Sequence, residues 1–260
     1  MGPILYRWHF DLPIVLMAIG LLYLYYKLTG FRWPRKSVLF ILAMLLFLLV
    51  TCSPPHYLGM HYYLSAHMIG HILLLLICGP LMVFSLPEQP QTLRRFSSFL
   101  SKRAWLAWMT GVGIMWFWHI PSIFNHMMSD MPGLAVMPLL QAASLLFAGI
   151  LFGWPLFGPY PEDRVHPLSG IIYLAAACIS CSLMGLLITF APLDTYYPFA
   201  GIKRMDNLWG ISPKEDLQTA GLIMWVPCCL LYLGGCLLLL RRWLTGDDRR
   251  RNKHIIAVSN

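Results

Sequence analysis

Seven runs of apolar residues recur along the chain, at approximately 11–29, 37–52, 64–86, 104–120, 134–153, 168–190 and 217–240, with polar residues gathered between them. Each run approaches the ~20 residues that an α-helix needs to cross hydrocarbon, so the pattern predicts seven transmembrane helices, the second being the shortest. Pro34, Pro54, Pro55, Pro87, Pro121, Pro132, Pro155 and Pro192 fall at or just beyond run ends, where a missing backbone N–H costs least. Between the third and fourth runs, Leu93, Phe96 and Leu100 share one helical face, and Arg94, Arg95, Lys102 and Arg103 surround it. That arrangement predicts a helix lying in the lipid headgroup region.

Composition turns this pattern into a fold class. Hydrophobic residues make up 58% of the 260 positions and charged residues 12%, against roughly 45–50% and 25% in soluble domains. The chain therefore reads as an all-α integral membrane protein, with residues 1–243 forming the seven-helix domain and 244–260 a basic cytoplasmic tail. The first run is followed by Tyr25-Tyr26-Lys27 rather than a small-residue cleavage pattern, so it is expected to be retained. The net charge of +8 sits in connectors and tail, where it suits anionic lipid heads rather than nucleic acid. Cys78, Cys178, Cys181, Cys228, Cys229 and Cys236 lie inside apolar runs and build no secreted-type disulfide framework. No internal repeat is evident.

Charge also gives the runs a direction. Of the 19 Lys and Arg residues, only Arg7, Lys203, Arg204 and Lys214 fall on one side of the predicted topology. By the positive-inside rule the N-terminus faces outward and the C-terminus is cytoplasmic. His9, His56, His61, His67, His71, His119 and His126 then belong to the outer face, leaving His166 and His254 inside.

His67 and His71 are four residues apart and share a helix face, about 6 Å apart along the axis. Polar groups at that depth are costly in lipid, so they are expected to face the bundle interior, within reach of one ion. His119 ends the fourth run, in Trp118-His119-Ile120-Pro121, near the same level. Softer ligands accompany them: Met68, Met127 and Met128 beside His126, Asp130 and Met131, and Met224, about 10 Å down the seventh run. Thioether with imidazole suits Cu(I), so copper is the first metal expected. A lone membrane histidine more often bonds a neighbouring helix than a metal, and methionine is a common core filler. The same-face pair is what raises the metal reading.

Other constellations carry less. The spacing of His67 and His71 is that of a zincin, but Met68 stands where the general-base Glu would be, and no nucleophile is at hand, so no enzyme is expected. Cys178 and Cys181 share a face and offer a second soft-metal reading, while Cys228-Cys229 offers a weaker one; buried thiols ordinarily act as small apolar groups. Asp216 is expected to cap the helix it begins, with orientation of a ligand histidine as the sharper alternative. Pro227 predicts a kink near Met224.

Several segments together resemble the CtaG family of multi-helix cytochrome c oxidase assembly factors. These are Ser65-Ala66-His67-Met68-Ile69-Gly70-His71-Ile72-Leu73 with Gly79-Pro80-Leu81, Trp118-His119-Ile120-Pro121, Phe152-Gly153-Trp154-Pro155-Leu156, and Ala220-Gly221-Leu222-Ile223-Met224-Trp225-Val226-Pro227. The resemblance implies a multi-pass protein of the bacterial inner membrane that helps deliver copper to a haem-copper oxidase. Its implied partners are oxidase subunits and a periplasmic or extracellular copper chaperone. Carried over by position, the metal residues are His67, His71, His119 and Met224, with Met68, His126 and His61 weaker and Asp216 behind them. The chain departs from the resemblance at Gln141-Ala142, where a Glu-His pair is expected, and at Leu217, where Gln is usual; Met137 is a candidate substitute. Two other readings stay open: a haem-binding membrane protein with His71 and His119 as axial ligands, and a metal-free scaffold for oxidase subunits.

Overall fold

The computed structural model describes residues 8–88, 91–128, 136–196 and 209–258. They form helices α1 (Leu12–Leu28), α2 (Ser37–Cys52), α3 (Pro54–His61), α4 (Leu64–Ser85), α5 (Gln91–Lys102), α6 (Ala104–His119), α7 (Pro121–Met128), α8 (Val136–Phe157), α9 (Pro167–Thr189) and α10 (Pro213–Val258). No strand occurs among the described residues. Proline in the first turn helps start α1, α3 and α9, where its fixed φ is already helical and its missing N–H would have no partner. Arg7, Asp130, Met131, Lys203 and Arg204 lie outside the described residues.

The seven apolar runs are helical, but they are not seven equal spans. Four helices are long and apolar enough to cross a membrane alone: α4, α8, α9 and the Pro213–Gly246 part of α10. A fifth arises if α2 and α3, bent by 43° at their junction, count as one. By contrast α1, α2 and α6 hold 17, 16 and 16 residues. At 1.5 Å per residue, 16 residues rise about 24 Å, short of the ~30 Å hydrocarbon layer. Breaks at Gly30, Ser53 and Pro121 end them early. The protein is an all-helical membrane protein with four to five candidate spans.

α4 is the centre of the bundle, with 56% of its apolar window buried against 22% for α10. It packs on α2, α3, α8 and α10. Its helix widens into a π turn at Leu73–Cys78, just before Pro80. Pro80 lacks an N–H, and its ring would strike the carbonyl four residues back, so the wider turn accommodates it. Gly79 of α4 meets Gly149 of α8 backbone to backbone, and a Cβ on Gly149 would overlap the Leu75 carbonyl. α9 and α10 close in the same way, since a Cβ on Gly185 would come within 2.8 Å of the Gly221 carbonyl oxygen. Small residues let helices approach where apolar burial gives no preference for protein over lipid.

The flanking pieces follow the sequence with two additions. In α5, Leu100 is buried, Leu93 packs on the core, and Phe96 meets the Trp154 ring edge-on at 4.8 Å, while Arg94 reaches Glu162 at 3.6 Å. α10 continues through Pro227 and across position 244 without interruption. The additions are α3 and α7, which occupy stretches the apolar pattern leaves as loops. Gly59 presses α3 onto α4 so closely that a Cβ there would sit 2.9 Å from the His67 backbone nitrogen.

Candidate metal centre

At one end of the bundle the start of α4, the end of α6 and the starts of α8 and α10 converge, and their polar side chains meet. His67 and His71 lie one turn apart on the buried face of α4, 7% and 3% exposed. Their ring centroids are 4.5 Å apart. His119, 5% exposed, is the last residue of α6, which turns away at Ile120-Pro121. Its Nε2 lies 3.3 Å from His71 Nδ1 and 3.0 Å from the Met68 thioether sulfur. Two imidazole nitrogens and one sulfur therefore converge from two helices.

Hydrogen bonding fixes which nitrogen is available. His119 Nδ1 stands 2.6 Å from the Met115 carbonyl oxygen one turn back. A carbonyl only accepts, so Nδ1 carries the proton, and in the neutral ring Nε2 presents its lone pair to His71 and Met68. A metal-binding histidine characteristically has its second nitrogen tied to a carbonyl in this way. The backbone at His119 is held as well: its carbonyl accepts from Tyr196 Oη at 3.1 Å, and neighbouring Trp118 Nε1 donates to Ser144 Oγ of α8 at 2.8 Å. Phe124 of α7 closes over His67 edge-on, with centroids 5.6 Å apart.

Asp216 sits elsewhere than the cap of its own helix. Its carboxylate accepts from the Leu64 N–H at 2.8 Å, the Ser65 N–H at 3.2 Å and the Ser65 hydroxyl at 2.6 Å. It therefore caps α4, the helix of His67 and His71, and is the only buried acid among the described residues. α10 begins instead with Ser212 and Glu215, whose side chains bond each other's backbone N–H groups at 2.7 and 3.2 Å, a capping box. The carboxylate thus serves a helix N-terminus, but that of α4 and not of the helix that carries it, and these bonds go to Leu64 and Ser65, not to a histidine ring.

A cavity of about 330 Å³ opens beside the cluster between α2, α3, α4 and α8. His56, Thr51, His67, His71 and Gln141 contribute its polar lining. His67 Nε2 is buried there without a hydrogen-bond partner, and His71 Nε2 and Gln141 Nε2, buried beside each other, fall short of good hydrogen-bond geometry. Such an atom ordinarily costs roughly 1–3 kcal/mol if left unmet, so each invites water or a ligand. Gln141 and Ala142, where the resemblance leads one to expect Glu-His, both line this cavity. Apolar walls with a few convergent polar atoms are the ordinary form of a binding site.

The remaining expected residues lie at varied distances from this point. Met224 is fully buried on α10, and its carbonyl accepts from the Cys181 thiol at 3.4 Å; the sulfur that reaches the imidazoles is that of Met68. His61 bonds the Tyr57 carbonyl at 3.1 Å and stacks on that ring, and His126 is exposed on α7. Met127 and Met128 are buried, and Met137 packs at the core edge. Cys178 and Cys229 form a separate pair across α9 and α10, with sulfurs 3.1 Å apart. Sequence reasoning did not single out His56 or Met115. Met115 acts through its carbonyl, which side-chain chemistry cannot reveal, whereas Pro54-Pro55 was the signal that a helix presents His56.

The donor set fits a soft monovalent cation better than a hard one. Among the described residues no group of three or more His, Cys, Asp or Glu is arranged to hold a metal ion. The convergent set is two imidazoles and a thioether, the mixture that suits Cu(I). With metal–nitrogen bonds of 2.0–2.1 Å, two nitrogens on one tetrahedral ion stand about 3.3 Å apart, which the His71–His119 separation matches. A family model described as cytochrome c oxidase caa3 assembly factor matches residues 16–246. No curated protein and no solved structure matches the chain.

Proposed function

The chain belongs to the cytochrome c oxidase caa3 assembly factor family, and from that premise we propose that it binds Cu(I) and passes it to a subunit of a haem-copper oxidase. The observation that carries this reading is the convergence of His71 Nδ1 and Met68 Sδ on His119 Nε2, at 3.3 and 3.0 Å. For a cation to bind between the rings, the proton that His71 Nδ1 shares with His119 Nε2 would move to His71 Nε2 on the cavity side, leaving both facing nitrogens and the Met68 sulfur to hold the ion. His67 stands beside the set as a further donor, and Asp216 holds the first turn of α4 that carries it. Nothing in this role requires catalysis; the metal is cargo.

In this reading the protein lies in a bacterial inner membrane, with seven apolar helices, the N-terminus outward and the Arg-rich C-terminus in the cytoplasm. The three shorter helices cross where neighbouring helices and a thinned bilayer cover their ends. The histidine end then faces the periplasmic side, where a copper chaperone and the oxidase subunit meet it. The haem alternative fits less well, because His71 and His119 touch directly and leave no slab for a macrocycle between them.

The test is a competition titration of purified protein against a chromophoric Cu(I) chelator under reducing conditions. One Cu(I) per chain is expected, and His71→Ala with His119→Ala should abolish it. Met68→Leu conserves volume and should cost under ~1.5 kcal/mol of stability, yet weaken copper binding at least about tenfold. Equal titrations for wild type and the double variant would sink the copper reading. The metal-free scaffold would then stand if the histidine variants lowered protein abundance alone.

A further inference from the structure

We propose that the cavity between α2, α3, α4 and α8 is the cation's route to the cluster, with His56 at its rim as the first, transient ligand. This rests on the copper reading. Three observations carry it. The cavity is about 330 Å³, room for several waters at roughly 30 Å³ each. The buried, unpartnered His67 Nε2 and the poorly satisfied His71 Nε2 and Gln141 Nε2 belong to residues that line it. His56, half-buried on α3, lines the same cavity.

An apolar void would stay dry, but a void with unmet nitrogens in its lining holds water, and a hydrated cleft is how a polar species reaches a site among membrane helices. The rings then form a series. His56 is at the rim, His67 follows, His71 lies 4.5 Å beyond it centroid to centroid, and His119 a further 5.0 Å. Transfer along the series is ligand exchange: one metal–nitrogen bond forms as another breaks, and no electron moves. α3 holds His56 in place because Gly59 seats that short helix directly on the His67 backbone.

The experiment measures loading of the full chain in detergent with Ag(I), a redox-inert stand-in for Cu(I), by stopped-flow protein fluorescence. His56→Ala removes the first ligand of the series and should slow loading several-fold while the resting ligands still hold one ion. Ala66→Leu, which narrows the cavity without removing a ligand, should slow it likewise. In the metal-free wild type, diethyl pyrocarbonate should modify His56 and His67 ahead of His119. Wild-type loading rates in both variants overturn the route, as does loss of the bound ion in His56→Ala, which makes His56 a resting ligand. Equal protection of His56, His67 and His119 overturns the hydrated cavity. If wild type binds neither Ag(I) nor Cu(I), the copper reading itself falls.

Discussion

Replacing Asp216 tests the link between the last helix and the histidine helix. In Asp216→Ala, the N–H groups of Leu64 and Ser65 and the Ser65 hydroxyl all lose their acceptor. The hydroxyl can turn elsewhere. The two backbone donors cannot, because the first turn of a helix has no internal acceptor for them. At roughly 1–3 kcal/mol for each unmet buried donor, and less for the partly exposed Ser65, the loss comes to about 3 kcal/mol. For a chain of this size that lowers the melting temperature by about 6–12 °C. Asp216→Asn keeps one acceptor oxygen and should fall about midway. The assay is thermal melting in detergent followed by tryptophan fluorescence, with Cu(I) affinity measured in parallel, since His67 lies three residues beyond Leu64. Glu215→Ala is the comparison: it breaks the cap of α10 at an exposed position and should change little. Melting of Asp216→Ala within about 2 °C of wild type, or equal to Glu215→Ala, would refute the reasoning.

Two further outcomes test the packing on which the site depends. Cys178 and Cys229, with sulfurs 3.1 Å apart, should close a disulfide between α9 and α10 under a lipid-soluble two-electron oxidant, their two hydrogens passing to the oxidant. Wild type should then lose two alkylatable thiols, whereas in Cys178→Ser the Cys229 thiol should stay alkylatable; no change in wild type rejects the pairing. Gly149→Ala should destabilise by at least ~1–3 kcal/mol, because its Cβ meets the backbone of α4. Gly113→Ala, with open space around it, should gain up to about 1 kcal/mol of helix propensity. Melting curves that move together for these two variants would remove the close α4–α8 crossing.

Much of this arrangement is legible in local pattern. The four-residue spacing of His67 and His71 placed them on one face, and the cost of burying them in lipid pointed that face inward, as found. Pro121 marked the end of α6 and so the level of His119. What escaped the sequence depends on contacts between distant residues. Asp216 could be assigned to the helix it begins, but its carboxylate meets residues 152 and 151 positions earlier. Met224 was favoured over Met68 by the resemblance, yet only the crossing of α4 and α6 decides which sulfur reaches His119. Hydropathy marks seven apolar runs, whereas four to five helices are long enough to be candidate spans by themselves, because hydropathy registers apolar character and not where a helix bends or stops, as at Ser53.

The cap on α4 also sets an order of events in biosynthesis. Asp216 leaves the ribosome 152 residues after Leu64, which at roughly 5–20 residues per second is a delay of about 8–30 s. During that interval the opening turn of α4, which leads into His67, is without its acceptor. Completion waits for the final helix to insert and fold back across the bundle. A chain cut before Asp216 therefore lacks the cap on the helix that carries His67 and His71.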